Sequence, residues 1–326
     1  MRVGIVGAGA IGGWIGVRLA RSGHDVSVLA RGATLSALRE KPWRLDIGGK
    51  ILEADVRASD DARQLGEQDV VIIAVKGFAL REVAPNIMPM IGAHTLVIPA
   101  MNGVPWWFLL AGGGELPPTH LHSVDPDGAI ARSIPLACVM GCVVHASAFV
   151  RAPGVVTHKG GNKLILGEPG GERSDRLQSI CEQLRLAGFD IVASDRVQRD
   201  IWYKLWGNMT MNPMSAITGA TCDRLLDDPL VKGLVLRVMA EAAEVGRHIG
   251  CPIEESGEDR INVTRQLGAF KTSMLQDAEG GRPLELEQIL GAPRQIAQLV
   301  RVPTPNMDAL LGLARLFAQT HGLYSG

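Results

Sequence analysis

Along the first hundred positions, apolar residues come in short runs broken by glycine and polar turns, a spacing that predicts alternating strands and helices. Val3–Val6 is a β run, and a glycine-rich turn after it opens a helix whose inward positions Ile11, Ile15 and Leu19 recur every four residues until Gly23. Val26–Leu29 is the next strand. Strand, turn, helix and strand within about 30 residues make one βαβ unit, which forces parallel pairing and a right-handed crossover. The nearly continuous apolar runs Val70–Val75 and Thr95–Ile98 suit parallel strands covered on both faces. Lys76-Gly77 follows the first run and Asn102-Gly103 the second. Ligands of open α/β sheets bind outside the carboxyl ends of the strands, so these positions are candidates for a site.

Residues 111–128 are rich in Gly, Pro, Asp and His and read as a surface loop. Beyond them Cys138–Val150 and Gly154–Gly167 read as strands, with turns at Ala152-Pro153-Gly154 and at Gly160-Gly161. A helix from about Ser174 and a last strand at Ile191-Val192 complete this half. After Asp195, helical periodicity replaces strand-like runs. Asp228 caps a helix with Pro229 in its first turn, and Val231, Val235, Met239, Ala242, Val245 and Ile249 then repeat at helical spacing until Gly250. Further helices are expected over 256–277, 284–300 and 306–320. The fold class is therefore α/β: an N-terminal Rossmann-like parallel-sheet domain, 1–195, followed by a C-terminal all-α domain, 196–326.

Composition narrows the function. The chain has 326 residues, 46% hydrophobic and 21% charged, enough for two cores. Its 33 basic and 34 acidic side chains leave a net charge of −1, so no overall field draws it to nucleic acid or to an anionic membrane. A small-molecule role is favoured. The first residues run straight into a strand without a leader, and no uncharged apolar run reaches the roughly 18 residues that span a bilayer, so the expectation is a cytoplasmic protein. Five scattered cysteines in apolar stretches read as reduced core residues. Neither the Cys138/Cys142 pair, which lacks a second half-site, nor His120 and His122 near Asp125 and Asp127 reads as a metal site.

Gly7-Ala8-Gly9-Ala10-Ile11-Gly12 fits G-x-G-x-x-G between a strand and a periodic helix. Glycine there permits a tight turn and lets the backbone approach a pyrophosphate held at the helix N-terminus. Sites for NAD or FAD carry an acidic residue at the end of the second strand, but here Leu29-Ala30 leads into Arg31. A guanidinium suits a 2′-phosphate through charge-assisted bonds, so NADPH is the preferred cofactor.

The other informative segment is 199–213. Lys204, Asn208 and Asn212 are spaced by four and share one helix face, with Pro213 expected to close or kink the helix just beyond. Trp202, Trp206 and Met209 lie on another face and read as packing. Taken alone, such a stripe also fits a solvated helix surface.

Across almost its whole length the sequence resembles the ketopantoate reductase family. The resemblance rests on the glycine loop, Val75-Lys76, Asn102-Gly103, Lys204-Leu205 with Asn208 and Asn212-Pro213, Ser273-Met274-Leu275-Gln276-Asp277, and Glu285 ahead of Ile289-Leu290-Gly291. It implies a reductase of a small 2-oxo acid, 2-dehydropantoate in the first place, in which Lys204 protonates the carbonyl oxygen as hydride arrives. It further implies that Asn102, Asn208, Asn212 and Ser273 hold the substrate. Gly7, Gly9, Ala10, Ile11, Gly12, Arg31, Lys76, Asn102, Ser147 and Glu285 would line the cofactor, Glu285 also lying against the reacting centre. Chemistry agrees, because an ammonium can stabilise and protonate the oxyanion that hydride addition creates, and a nearby carboxylate would position that ammonium. Glu285 can also be read as an exposed helix-cap glutamate, and Ser273 by itself as a plain helix serine. Trp106-Trp107-Phe108 depart from the family's better-known members and fit either packing or a reshaped pocket. Reduction of another small 2-oxo acid and a non-catalytic NADP-binding regulator stay as alternatives, and a homodimer is left open.

Overall fold

Strand β1 (Arg2–Val6) is buried from Val3 onward and stands at the centre of the first sheet. The strands after it are β2 (Asp25–Leu29), β3 (Trp43–Ile47), β4 (Lys50–Ala54), β5 (Arg57–Ser59), β6 (Gln68–Ile73), β7 (Ile91–Pro99), β8 (Gly141–Ala152), β9 (Val155–Gly167) and β10 (Asp190–Ala193). The computed structural model describes residues 1–266 and 268–324. Two units make up the chain: Met1–Met101 with Gly128–Asp200, and Asn102–Asp127 with Ile201–Gly326.

In the first unit, the order β5-β2-β1-β6-β7 gives an all-parallel, Rossmann-like sheet. Val6 pairs with Leu29 on one side and with Ile73 on the other, so β1, β2 and β6 end level and their following residues leave the sheet at one edge. Connections cross to opposite sides of β1 there, which is where an open α/β sheet binds its ligand.

The remaining strands build a second sheet, β10-β9-β3-β4 with β8 on β9, which the strand pattern did not separate from the first. Its antiparallel pairs have a local cause. β8 and β9 are joined only by Pro153-Gly154 and β3 and β4 only by Gly48-Gly49, and links of two residues can join only antiparallel strands. The turn expected at Gly160-Gly161 is instead an irregularity inside the single strand β9, where Gly161 takes φ +73° and a Cβ would lie 2.4 Å from the His145 carbonyl oxygen. The helix Ala10–Arg21 serves both sheets. Gly13 and Gly16 let it settle on Trp43 of β3, where a Cβ at Gly16 would come within 2.4 Å of the indole.

The second unit is helical apart from the loop 102–127. Its long helices are Val197–Thr218, which begins in the first unit, Pro229–His248 and Pro305–Thr320. Asp228 caps Pro229–His248 through the Leu230 and Val231 N–H groups, as its position before a proline predicts. Pro213 does not end its helix, which runs on to Thr218; its flanks Asn212 and Met214 are buried, and packing outweighs the lost hydrogen bond. The single helix expected over 256–277 is two, Gly257–Arg265 and Ser273–Glu279. Between them Gly268 turns the chain with φ +64° and the Phe270 carbonyl accepts the Cys222 N–H, while Leu267 lies outside the described residues. Among the described residues, no helix is long and apolar enough to cross a membrane.

Candidate active site

At the edge of the first sheet, each glycine of the turn has a distinct job. Gly7 takes φ +98°, a backbone that other residues rarely adopt, and its N–H bonds the Leu29 carbonyl at 3.1 Å. A Cβ on Gly12 would sit 2.0 Å from the Gly7 oxygen, so only glycine lets the helix start this close to the strand. A Cβ on Gly9 would meet nothing within 4 Å. Gly9 therefore faces open space at the N-terminus of a helix whose first N–H groups no side chain caps, with Ala10 and Ile11 forming its first turn. Unpaired N–H groups, the positive end of a helix dipole and a bare backbone are what a pyrophosphate needs, so these residues fit a dinucleotide.

Arg31 follows β2 at the same edge, at the start of the helix Gly32–Glu40. Its guanidinium is exposed and lies 3.2 Å from the equally exposed Glu82, a loose contact that an incoming phosphate can displace. Lys76 follows β6 and precedes the turn Gly77–Ala79. Ser147 is elsewhere in this unit, in β8 of the second sheet, opposite Gly160 where the pairing slips.

In the second unit, the helix Val197–Thr218 carries Lys204, Asn208 and Asn212 on one face. The other face is fixed by the indoles: Trp202 Nε1 donates to the Ala242 carbonyl at 3.1 Å and Trp206 Nε1 to that of Met239 at 2.7 Å. Lys204 Nζ donates to Asn102 Oδ1 at 2.8 Å, which joins two residues 102 positions apart. Asn102 is in turn held by the backbone beside it. Gly103 takes φ +80°, a Cβ there would come within 2.5 Å of the Gln288 carbonyl oxygen, and the Val104 N–H donates to that oxygen at 2.8 Å. Gln288 belongs to the π-helical stretch Glu287–Gly291, and Glu285, buried, stands just before it. π turns of this kind recur at functional sites.

The Asn212 backbone and the start of the helix Ser273–Glu279 are linked through two hydroxyls that sequence reasoning passed over. Leu275 N–H donates to Thr272 Oγ1 at 3.1 Å, the Thr272 and Ser215 hydroxyl oxygens are 2.6 Å apart, and Ser215 Oγ donates to the Asn212 carbonyl at 2.9 Å. All three bonds are satisfied if Thr272 donates to Ser215, giving an unbroken chain in a buried setting. Thr272 is the cap of the helix Ser273–Glu279, and a threonine just before an apolar helical run was the available signal. Ser215 gave none, because a serine inside a helix is ordinary. Asn208 shares the face of Lys204 and is half-buried.

Trp106, Trp107 and Phe108 are almost wholly buried, with Phe108 against Trp202 at 6.2 Å between ring centroids, so these aromatics are core packing. The segment 111–128 is turn-rich and lies against the end of the helix Pro229–His248: Glu115 N–H donates to the His248 carbonyl at 2.8 Å. His120 Nε2 is 3.3 Å from the buried Asp125 carboxylate, and among the described residues no group of three or more His, Cys, Asp or Glu could hold a metal ion.

Comparison with known proteins matches both parts of the chain. Residues 3–112 match the family described as ketopantoate reductase PanE/ApbA, and residues 196–318 match its C-terminal domain. A 2-dehydropantoate 2-reductase of Mesorhizobium japonicum is 41% identical over 326 residues, covering 100% of both chains. A crystal structure of a ketopantoate reductase candidate from Ralstonia solanacearum MolK2 superposes with TM-score 0.96 at 56% identity, covering 99% of each chain. A D-mandelate dehydrogenase with NADH and anilino(oxo)acetate shares the fold, with TM-score 0.85 at 21% identity over 99% of this chain and 100% of that one.

Proposed function

The chain belongs to the ketopantoate reductase PanE/ApbA family and is an oxidoreductase acting on a CH-OH group, and from that premise we propose that it reduces a small 2-oxo acid with NADPH, 2-dehydropantoate to pantoate being the first choice. The observation that carries this reading is the 2.8 Å bond from Lys204 Nζ to Asn102 Oδ1, on the helix face that also bears Asn208 and Asn212. Bound NADPH supplies the hydride. Negative charge then builds on the substrate carbonyl oxygen, where the Lys204 ammonium stabilises it and delivers a proton. Asn102 occupies one of the three Nζ donors and so orients the others. Asn208, Asn212 and Ser273 hold the substrate through amide and hydroxyl hydrogen bonds, and Glu285 orients the ammonium from the reacting side. Lys204 regains its proton from solvent, which closes the cycle.

On the cofactor side, Gly7, Gly9, Ala10, Ile11 and Gly12 receive the pyrophosphate and Arg31 pairs with the 2′-phosphate. Lys76, Asn102 and Ser147 line the rest, Ser147 on the family resemblance alone. The proposal assigns NADP binding to 1–195 and substrate binding to 196–326, with Asn102 serving both roles.

A panel of 2-oxo acids containing 2-dehydropantoate, shorter branched acids and an aromatic member, assayed by NADPH oxidation, tests the reading. Highest kcat/KM with 2-dehydropantoate supports it. A higher value with another acid keeps the chemistry and changes the substrate, whereas no turnover with any acid and either nicotinamide cofactor overturns it.

A further inference from the structure

The segment around Glu285 is gripped on both sides by residues distant in sequence. Immediately before Glu285, the Leu284 N–H donates to the Leu323 carbonyl at 2.9 Å, so a residue near the C-terminus pairs with the backbone beside the carboxylate. Two positions after it, the Glu287 carboxylate accepts Arg315 Nε at 2.9 Å, Arg315 Nη2 at 2.7 Å and the Tyr324 hydroxyl at 3.0 Å. The two-pronged guanidinium bond fixes the carboxylate in direction as well as place. The hydrogen bond to Glu287 raises the Arg315 pKa, and burial, then the same carboxylate, raises that of the Tyr324 phenol, so both remain donors.

Glu287 opens the π-helical stretch, a rare geometry that recurs at functional sites. Gly291 closes the stretch, and a Cβ there would lie 2.2 Å from Glu287 Oε2, so the carboxylate folds back over the turn. On the far side, the Gln288 carbonyl accepts the Val104 N–H at 2.8 Å, next to the Asn102 that receives Lys204 Nζ. The cluster on Glu287 and the contact of Asn102 with Lys204 thus share one turn of backbone. An ordinary surface ion pair would stabilise the last helix and leave Lys204 untouched.

We propose that Arg315, Glu287 and Tyr324 form a positioning device that holds the π turn, and through it sets both Glu285 and the Asn102–Lys204 pair. The idea rests on the reading that Glu285 and Lys204 serve the reduction, and its test is chosen to separate the two. Arg315→Ala and the isosteric Tyr324→Phe are compared with wild type for residue-resolved amide exchange, melting temperature and steady-state kinetics, beside Lys204→Ala. Loosening the turn should lower protection of the Val104 amide about tenfold or more in Arg315→Ala and about threefold in Tyr324→Phe. The Gly13 amide, in the helix that follows the glycine turn, should be unchanged. In Arg315→Ala kcat should fall about tenfold with KM for NADPH unaltered, and Arg315→Lys should recover part of it. Unchanged Val104 protection in both variants overturns the proposal, as does a kcat loss that only follows melting temperature. Loss of activity in Lys204→Ala with normal Arg315 and Tyr324 variants would refute the device and leave the functional reading standing. Because exchange needs no turnover, a wild type inactive on every 2-oxo acid would sink that reading while Val104 still decided the coupling.

Discussion

The glycine turn at residues 7–12 and the cluster around Lys204 are built by opposite means. The turn works with backbone: a positive φ at Gly7, a close approach at Gly12 and an open face at Gly9, all within six consecutive residues. The Lys204 cluster works with side chains brought from separate segments, since Asn102 meets Lys204 and its neighbour Val104 bonds Gln288. The first needs local geometry alone, whereas the second depends on the packing of a whole unit. A substitution should therefore act sharply and locally in the turn and spread through hydrogen bonds in the cluster.

The largest expected effect is in the cluster. Lys204→Ala should lower kcat by about 100-fold or more, the usual scale for a positioned general acid, while NADPH binding measured by fluorescence quenching stays near wild type. Near-normal turnover would remove Lys204 from the mechanism and the cluster from this comparison.

Two alanine substitutions sharpen the other side. Gly12→Ala drives a methyl group to 2.0 Å from the Gly7 carbonyl oxygen and should cost on the order of 3 kcal/mol, read as a lowered melting temperature. Gly9→Ala meets nothing and should leave melting unchanged while weakening NADPH by about tenfold or more. If both variants lost stability equally, the division of labour among the glycines would be wrong.

On the proposed function, Arg31 sets the cofactor preference at the nucleotide end of the first unit. Arg31→Ala removes a charge-assisted pair worth about 1.5–3 kcal/mol, so NADPH should bind about one to two decades more weakly while NADH changes little. Arg31→Asp should narrow or reverse the preference. Dissociation constants for both cofactors decide it, and equal weakening of the two would show that Arg31 does not read the 2′-phosphate.

A smaller effect is expected at Ser215. Ser215→Ala breaks the hydroxyl chain from Leu275 through Thr272 to Asn212 and strands the buried Thr272 hydroxyl, at a cost of about 1–2 kcal/mol. Melting should fall by a few degrees, and KM for the 2-oxo acid should rise more than KM for NADPH, because the chain ends on the Asn212 backbone and at the cap beside Ser273, both of which the proposed function gives to the substrate. A change in KM for NADPH alone would disconnect this chain from the substrate.

What the sequence determined by itself was whatever depends on neighbours along the chain. The strand Arg2–Val6, the glycine turn, the following helix and the Asp228-Pro229 helix start all follow from periodicity, steric freedom and capping within a few residues. The Lys204, Asn208 and Asn212 stripe was legible for the same reason, as a spacing of four is a helix face. Tertiary structure decided the rest. Pairing of β9 with the distant β3 puts β8 and β9 in a second sheet, Pro213 is carried inside a helix by its buried flanks, and Gly268 with the Thr272 cap divides the expected 256–277 helix in two. That Asn102 would hold Lys204, and that Gln288 and Ser215 would hold the segments around them, has no local signal. Such contacts join residues tens to hundreds of positions apart, and only packing chooses which polar groups meet once water has been excluded.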